Sequence, residues 1–162
     1  MNPMDGSHSP MMLRSIGTVK NDIHEPGTRD WAHTMSEIEC DPVCGEALDG
    51  LEEFSHITVI FWMHRASAWE PSTSKVHPQR RTDLPLVGVF ATHSPYRPNP
   101  LGITVVKLME RRRNVLKVVG LDAINGTPVV DIKPHFPEVE IAEIRVPNWV
   151  FQLRRFASKR PS

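Results

Sequence analysis

Residues 102–133 read GITVVKLMERRRNVLKVVGLDAINGTPVVDIK, and this stretch decides the fold. It contains three successive runs of β-branched and apolar residues, at 102–109, 114–121 and 127–133. Runs of this composition are typical of β-strands. The connections between them are too short to hold the helices that a doubly wound sheet would need. Asn125-Gly126 lies between the last two runs, and Asn-Gly is the strongest short signal for a hairpin. The stretch therefore predicts antiparallel strands.

Four segments nearer the N-terminus predict further strands. Met35–Cys40 alternates between acidic and less polar residues, as expected of a half-buried strand. His56–His64 is almost continuously apolar, as expected of a strand that is covered on both faces. The other two segments are Leu13–Lys20 and Leu86–Thr92. About seven closely spaced strands indicate a mainly β protein, an antiparallel barrel or sandwich and not a Rossmann sheet.

Short helices and one long loop complete the predicted fold. Ala47–Phe54 predicts a short helix, and Pro147–Phe156 predicts an amphipathic helix. Its apolar stripe consists of Trp149, Leu153 and Phe156. Arg65–Pro85 is rich in Pro, Ser, Thr and basic residues and has no period, so it predicts a structureless loop. We expect a disordered segment at 1–12, a β-barrel domain at 13–140, and a basic helix and tail at 141–162.

The charges of the chain are balanced in number and separated along the sequence. There are 19 Lys and Arg residues and 19 Asp and Glu residues, so the net charge gives no indication of nucleic-acid binding. Seven acids and no Lys or Arg lie between Glu37 and Glu53, whereas five bases and no acid lie within 145–162. Two solvated faces, attraction of phosphate to the basic end, and self-complementation in an oligomer all fit this bipolar pattern.

Several classes of protein are disfavoured by the sequence. Cys40 and Cys44 are the only cysteines, and a C-x3-C pair supplies two of the four ligands of a structural zinc site, so no metal is expected. No apolar run approaches the roughly 18 residues that span a bilayer. Residues 1–12 lack the apolar stretch of a signal peptide. We therefore expect a cytoplasmic protein.

The stretch 88–102, GVFATHSPYRPNPLG, is the strongest candidate for a site of recognition. Three prolines stiffen it, which lowers the entropic cost of ordering the loop around a ligand. Between these prolines the loop displays an aromatic ring, a cation and an amide, from Tyr96, Arg97 and Asn99. This set suits an adenine base together with a carboxylate or phosphate. A rigid strand connection that performs no chemistry explains the same composition.

Two other places carry polar residues at predicted strand ends. Asp122, Asp131 and Lys133 surround the predicted hairpin, where a carboxylate is able to accept hydrogen bonds from a ribose or an amino group; turn formation explains such residues equally well. His64 ends an apolar strand beside the long loop, where site residues tend to collect. The sequence contains neither G-x-G-x-x-G nor G-x-x-x-x-G-K-[ST], so nucleotide phosphates are not bound in those familiar ways.

Taken together, five segments resemble the TsaA/YaeB-like family, in the same order and over roughly residues 13 to 138. They are IGTV (16–19), EPGT (25–28), GLEEFSHITVIFWMH (50–64), GVFATHSPYRPNPLGIT (88–104) and GLDAINGTPVVDIKP (120–134). Characterised members of the family methylate N6 of threonylcarbamoyladenosine at tRNA position 37. The resemblance implies a small antiparallel β-barrel with short peripheral helices, which binds S-adenosylmethionine near the interface of a homodimer.

The cofactor positions that the resemblance implies are Pro26, Gly27, Thr28, His64, Arg65, His93, Ile103, Val119, Gly120, Leu121 and Asp122. The family usually has Arg where this chain has His93, and a residue other than Arg at position 65. Asn125 replaces the more usual Asp before Gly-Thr-Pro. Longer bacterial relatives continue into a second small domain.

The resemblance implies the methyl acceptor, and the chemistry of the side chains suggests which residues bind it and which accept its proton. The residues expected to bind substrate are Tyr96, Arg97, Asn99 and Lys133, and those expected to take part in catalysis are His64, Asp122 and Arg97. The expected acceptor is tRNA. One alternative is a methyltransferase of the same fold that acts on another adenine-like or small-molecule acceptor. Another is a barrel that binds S-adenosylmethionine or RNA without catalysis.

Overall fold

The computed structural model of the protein describes residues 11–27, 29–137 and 144–157, with side chains of the C-terminal helix described as far as residue 153. Eight strands and one α-helix lie within these ranges. The strands are β1 (Gly17–Lys20), β2 (Met35–Cys40), β3 (His56–Trp62), β4 (Lys75–Val76), β5 (Val87–Gly88), β6 (Leu101–Arg112), β7 (Val115–Val119) and β8 (Pro128–Pro134). The helix α1 spans Asn148–Ala157.

Six of the strands form a closed antiparallel barrel in the order β1-β2-β7-β6-β3-β8. This confirms the prediction of a small β-barrel. Alternate residues of each strand point inward, so the barrel is filled by side chains at every second position. The fully buried centre consists of Val19, Ile38, Ile57, Val59, Leu116, Val118, Leu121 and Val129.

Close approach of neighbouring strands explains two glycines. A side chain at Gly17 would collide with the backbone of Glu39 on β2, and one at Gly102 would overlap the ring of Phe61 on β3. Both positions face a paired strand, Gly17 opposite Cys40 and Gly102 opposite Phe61. The Phe61 ring therefore occupies the space that the missing side chain leaves at the start of β6.

Two strands differ from their predictions. β3 buries Ile57, Val59 and Phe61 while its other face is only partly covered, so the prediction of cover on both faces was wrong. The reason is the barrel, in which each strand has one face in the core and one face outside. The predicted strand Leu86–Thr92 is reduced to the two residues of β5, followed by a 3-10 turn at Val89–Ala91.

The Asn125-Gly126 turn does not form the predicted hairpin. β7 pairs with β2 and β6, whereas β8 pairs with β1 and β3, so the two strands that flank the turn are not neighbours. Thr127 N donates to Ile124 O at 3.2 Å, and φ is positive at Gly126 and not at Asn125. A positive φ at the third residue alone fits a type II turn, whereas the expected type I′ hairpin turn requires two.

Two predictions for the connections between strands were also wrong. Two 3-10 turns, Glu46–Leu48 and Leu51–Glu53, overlap the predicted helix Ala47–Phe54, and no α-helix forms there. The segment Arg65–Pro85 is not structureless, because β4 pairs with β5 and two 3-10 turns, Pro71–Thr73 and Pro78–Arg80, lie within it. The predicted C-terminal helix is confirmed, with Trp149 and Leu153 half-buried. Residues 1–10 and 158–162, at the predicted disordered segment and tail, lie outside the described residues.

Because the strands of the barrel are antiparallel, the connections between them lie at two opposite ends of the barrel. We call the end that carries the connections 21–34, 63–100 and 120–127 the upper rim, and the end that carries 41–55 and 113–114 the lower rim. The acidic segment 41–53 lies at the lower rim, where Arg111 binds Asp49 at 2.6 Å and Glu52 at 3.0 Å. Part of the acidic half of the bipolar charge pattern is therefore neutralised within the chain.

Among the described residues, no helix is long and apolar enough to cross a membrane.

Candidate functional site

The three connections of the upper rim carry nearly all of the predicted cofactor positions. Pro26 and Gly27 lie in the first connection, and the second contains His64, Arg65 and His93. Val119 ends β7, and Gly120, Leu121 and Asp122 begin the third connection. Ile103 lies near the upper end of β6. Thr28 lies outside the described residues. The barrel topology therefore gathers at one rim positions that are up to a hundred residues apart in sequence.

Asn21 ties the first connection to the third. Its Nδ2 donates to Ala123 O and to Ser36 Oγ, both at 2.9 Å, and its Oδ1 accepts from Ile23 N at 3.0 Å. Ser36 is almost fully buried at 2% exposure, so this network lies inside the rim. Buried polar groups of this kind fix one arrangement of the chain when all their hydrogen bonds are made. Asn21 thus holds the Pro26–Gly27 segment in position relative to Gly120–Asp122.

An ion pair joins the first connection to the second. Arg65 Nη1 donates to Glu25 Oε1 at 2.8 Å. Both side chains are substantially exposed, so the pair contributes little to stability. Its effect is positional, because it brings Glu25-Pro26-Gly27 next to the end of β3.

His64 follows β3 at the upper rim and is exposed at its surface. Partial burial lowers the pKa of His64 below its ordinary value, and the positive charge of Arg65 lowers the pKa further. Both effects favour the neutral imidazole near pH 7. A neutral imidazole is able to accept a proton, which is the role predicted for His64.

Asp122 is held by the neighbouring strand. Thr104 Oγ1, near the start of β6, donates a hydrogen bond to Asp122 Oδ1. Leu121 is fully buried, which anchors the backbone beside Asp122, while the Asp122 side chain is exposed. Gly120 has φ +96 and its N donates to Thr34 O at 3.0 Å. A carboxylate on an anchored backbone, preceded by a glycine that leaves the backbone open, is suited to a polar ligand.

The loop 88–100 is held together by Arg97. Its Nη2 donates to Thr92 O at 2.6 Å and to Val89 O at 3.4 Å, and its Nε donates to Ser94 O at 2.8 Å. Met63 N donates to Pro100 O at 2.8 Å, which fastens the loop to the end of β3. The sequence predicted a cation presented to a ligand, and the structure gives Arg97 a part in building the loop. His93 and Asn99 are exposed on it.

Tyr96 contacts a side chain of the segment between β4 and β5. Arg80 Nη2 donates to the Tyr96 hydroxyl at 2.7 Å, and the Arg80 guanidinium lies 5.9 Å from the centroid of the Tyr96 ring. The segment 65–85, expected to be structureless, therefore packs against the proline-rich loop. A second bond, from Val89 N to Ser74 O at 2.9 Å, joins the same two parts of the chain.

Lys133 and two cavities lie away from the upper rim. Lys133 is near the lower end of β8, opposite Thr58, and it pairs with Asp131 at 2.8 Å. Five residues separate it from the upper end of β8, a rise of about 17 Å. Two cavities of about 320 and 310 Å³ also lie at the lower rim, one beside Arg111 and Asn114 and the other between Leu51 and Ile132. Neither contains a predicted site residue.

The outer surface of the barrel carries an apolar strip beside the site. Met35 on β2 and three residues of β6 have exposed side chains at 46–62%. The three are Ile103, Val105 and Met109. β7 lies between β2 and β6, and Val119 on it is paired with both Met35 and Lys107. The exposed Lys107 interrupts the strip between Val105 and Met109. Exposed apolar residues gathered on one face are nevertheless typical of an interaction site.

The two cysteines, Cys40 and Cys44, lie at the lower rim. Burial raises the pKa of the Cys40 thiol to about 11, with further contributions from Cys44 and Asp41. The thiol is therefore protonated at neutral pH. Within the described ranges, no three His, Cys, Asp or Glu side chains are grouped so as to hold a metal ion.

Three residues of the upper rim were not identified from the sequence: Asn21, Glu25 and Thr104. Glu25 and Thr104 lie inside the quoted segments 25–28 and 88–104, so their position was a usable signal. Asn21 lies in a segment that reads as a loop, and its role depends on a contact with Ala123, which is 102 positions away in the sequence. Arg80 is one of the basic residues of the segment 65–85, but its contact with Tyr96 was not predicted. No local pattern reports such contacts.

A sequence model of the tRNA-methyltransferase O N-terminal domain matches residues 18–141 of the chain, which confirms the resemblance described above. A probable S-adenosyl-L-methionine-binding protein of Archaeoglobus fulgidus is 40% identical over 134 residues, which make up 80% of this chain and 35% of that protein. The tRNA (adenine(37)-N6)-methyltransferase of Escherichia coli is 43% identical over 101 residues, 59% of this chain and 42% of the enzyme.

The fold has a close counterpart among solved structures. The crystal structure of TrmO from Pseudomonas aeruginosa matches with a TM-score of 0.65 and 31% sequence identity, over 85% of this chain and 62% of that one. The chain thus spans less than two thirds of the length of each of these three proteins.

Proposed function

This chain belongs to the family of tRNA-methyltransferase O N-terminal domains, and we propose that it binds S-adenosylmethionine at the upper rim and transfers the methyl group to tRNA. The observation that carries the proposal is the convergence of three connections at this rim. Asp122 is bound by Thr104, Arg65 is bound by Glu25, and Asn21 joins the first connection to the third. These contacts hold polar groups in fixed positions on a rigid barrel, as a small-molecule site requires.

The residues at the rim fit the chemistry of S-adenosylmethionine. The Asp122 carboxylate suits ribose hydroxyls or an amino group, and Arg65 suits the carboxylate of the methionine part. Among the described residues, a side chain at Gly120 would meet Ala32 O at 3.8 Å and one at Gly27 would meet Arg29 Nη2 at 3.6 Å, so these neighbours leave both backbones open to close approach. The exposed Ile103 offers apolar contact to a base.

The proposed acceptor is N6 of threonylcarbamoyladenosine at tRNA position 37. Support comes from the enzyme of Escherichia coli, whose described reaction is methylation of N6 of adenine 37 in tRNA. In this chain Tyr96 offers a ring for base stacking, and Asn99 offers an exposed amide. Arg97 remains the candidate for the threonyl carboxylate through the donors that its loop contacts leave available. The proposed substrate implies a cytoplasmic protein.

The residues of the chain contribute position and proton transfer. When bound, S-adenosylmethionine supplies a methyl carbon for in-line attack by the adenine nitrogen, with S-adenosylhomocysteine as the leaving group. The N6 nitrogen of a threonylcarbamoyl group is urea-like and weakly nucleophilic, so a base at its proton matters. His64 is the first candidate because its lowered pKa keeps the imidazole neutral. Asp122 is the second. Positioning by the rigid rim supplies the rest.

We also propose that the protein acts as a homodimer through the apolar strip of β2 and β6. Ile103 belongs both to this strip and to the predicted cofactor positions. A partner that covers the strip would therefore close one side of the site and exclude water from it. The same burial would remove Val105 and Met109 from solvent.

Two rival functions remain and are separable. A methyltransferase of the same fold for another acceptor would bind the cofactor and leave tRNA unlabelled. A barrel that binds S-adenosylmethionine or RNA without catalysis would transfer no methyl group to any acceptor.

Calorimetry with S-adenosylmethionine and S-adenosylhomocysteine tests the cofactor assignment. We expect binding in the micromolar range for the wild type and clearly weaker binding for Asp122→Ala. Asp131→Ala is the matched control, because Asp131 lies on β8 and pairs with Lys133. Absence of heat with both ligands at high concentration would rule out the proposed methyltransferase activity.

A further inference from the structure

Arg80 and Tyr96 form a side-chain pair within the connection 63–100 of the upper rim. Arg80 Nη2 donates to the Tyr96 hydroxyl at 2.7 Å, and the guanidinium lies 5.9 Å from the ring centroid. The hydrogen bond fixes the tilt of the Tyr96 ring, and the cation near the ring is a favourable contact. Tyr96 is thereby held as a rigid aromatic surface, although it lies on a loop.

The backbone that presents Arg80 is strained. Gln79 has φ +51 and Arg80 has φ +59, two successive non-glycine residues in the left-handed region. Such residues are uncommon and tend to occur at ligand sites. The turn is held from both sides, because Arg80 N donates to His77 O at 3.0 Å and Arg81 N donates to Pro78 O at 3.1 Å. Pro78 is buried beneath it. The strained turn aims Arg80 toward the proline-rich loop.

No carboxylate within the described residues forms an ion pair with Arg80. Within residues 11–27, 29–137 and 144–157, Arg80 forms no ion pair, and its only recorded side-chain partner is the neutral Tyr96. Its neighbour Arg81 pairs with Asp83, and Arg97 donates to three carbonyls of its own loop. Arg80 is thus a guanidinium with donors to spare beside an aromatic ring.

We propose that Arg80 and Tyr96 bind the acceptor RNA together, with a base stacked on Tyr96 and an anionic group of the RNA bound by Arg80. An aromatic ring beside an arginine matches unstacked nucleotides, because the ring takes the base and the guanidinium takes the anion. The anion is either a backbone phosphate or the carboxylate of the threonylcarbamoyl group. This inference rests on the proposed function and adds an acceptor-binding residue to it.

Affinity for tRNA, measured by fluorescence anisotropy at several salt concentrations, tests the proposal. The main variant is Arg80→Gly, because glycine adopts a positive φ readily and preserves the turn. Arg80→Lys keeps the charge without the planar fork, and Tyr96→Phe keeps the ring without the hydroxyl. Arg112→Ala is the control, since Arg112 is an exposed arginine toward the lower rim that pairs with Glu110. Thermal melting and S-adenosylmethionine binding are measured for every variant.

We expect Arg80→Gly to weaken tRNA binding by about 10-fold or more, with unchanged cofactor affinity and melting temperature. Arg80→Lys should recover part of the loss, and Arg112→Ala should match the wild type. If the anion is a phosphate, the loss is equal for tRNA with and without threonylcarbamoyl groups, and the salt slope falls by about 1. If it is the carboxylate, only modified tRNA shows the loss.

Binding by Arg80→Gly within twofold of the wild type on both tRNAs would overturn the inference and leave the proposed function intact. A wild-type protein that neither binds tRNA nor methylates it would overturn the proposed function and this inference together.

Discussion

At the scale of single residues, His64 and Asp122 differ in the way their surroundings prepare them. His64 is kept neutral by partial burial and by the charge of Arg65, which are both general effects of its position. Asp122 is instead oriented by one hydrogen bond from Thr104 on the adjacent strand. A neutral base and an oriented carboxylate are complementary, since the first accepts a proton and the second binds a ligand in a fixed pose.

The pKa of His64 predicts the acid limb of the activity profile. Because burial and Arg65 lower this pKa, the imidazole stays neutral to a lower pH than an ordinary histidine. If His64 is the base, methyl transfer should fall as pH drops through a value below about 6.5. Arg65→Ala removes one of the two causes and should move this limb to higher pH, whereas His64→Gln should abolish it. A profile of kcat/KM that is identical in all three proteins would exclude His64 as the base.

Arg97 is predicted to be indispensable for methyl transfer. Arg97→Ala removes three hydrogen bonds within the loop 88–100, at a cost of about 1–3 kcal/mol in stability. We expect loss of methyl transfer with cofactor affinity within about tenfold of the wild type, because the loop borders the acceptor. Arg97→Lys should rescue little, since lysine lacks the fork that reaches several carbonyls. Calorimetry that shows complete loss of S-adenosylmethionine binding would assign Arg97 to the cofactor side.

At the scale of elements, the strands were predictable and several connections were not. Met35–Cys40 was predicted with its observed bounds, because alternation along a strand follows directly from burial of one face. The turn at Asn125-Gly126 was predicted correctly as a turn, yet its strand partners were wrong. Asn-Gly reports local backbone geometry, whereas the pairing of β8 with β1 and β3 depends on barrel closure. Local sequence carries no information on which distant edges meet.

Asn21 is expected to couple the first and third connections. Asn21→Ala leaves Ala123 O and the buried Ser36 Oγ without this donor, so we expect a loss of about 1–3 kcal/mol in the free energy of unfolding. The Kd for S-adenosylmethionine should rise because Pro26–Gly27 loses its position relative to Asp122. Asn114→Ala is the matched control, since Asn114 donates to Cys40 O at 2.6 Å at the lower rim. It should lower stability and leave the Kd unchanged; equal effects of both variants on the Kd would contradict the assignment.

At the scale of the whole molecule, closure of the barrel brings most of the predicted site residues to one rim. Gly27, His64 and Asp122 all lie in connections at this rim, and their roles in binding or catalysis stay predictions. Lys133 does not lie with these residues, because it is near the lower end of β8. The seven residues of β8 separate the upper rim from the lower rim by more than the width of a small ligand. A sequence motif that spans a whole strand does not show which of its two ends lies at the site.

The apolar strip predicts the oligomeric state. Light scattering should give twice the 18.4 kDa mass of the chain. Val105→Asp places a charge in the strip, where burial of an unpaired carboxylate is unfavourable, and should yield a monomer. Val43→Asp is the matched control, because Val43 is 90% exposed at the lower rim, and should remain dimeric. A wild-type monomer at assay concentrations would contradict the proposed dimer.

The central claim is that this barrel methylates tRNA, and its most direct test is transfer of a labelled methyl group from S-adenosylmethionine. The purified protein is incubated with tRNA that contains threonylcarbamoyladenosine and, in parallel, with tRNA that lacks it, followed by digestion to nucleosides. We predict label in the N6-methylated form of threonylcarbamoyladenosine with the first tRNA, none with the second, and a strongly reduced yield for Asp122→Ala. Absence of label from both tRNAs, with a folded protein that binds the cofactor, would contradict the account.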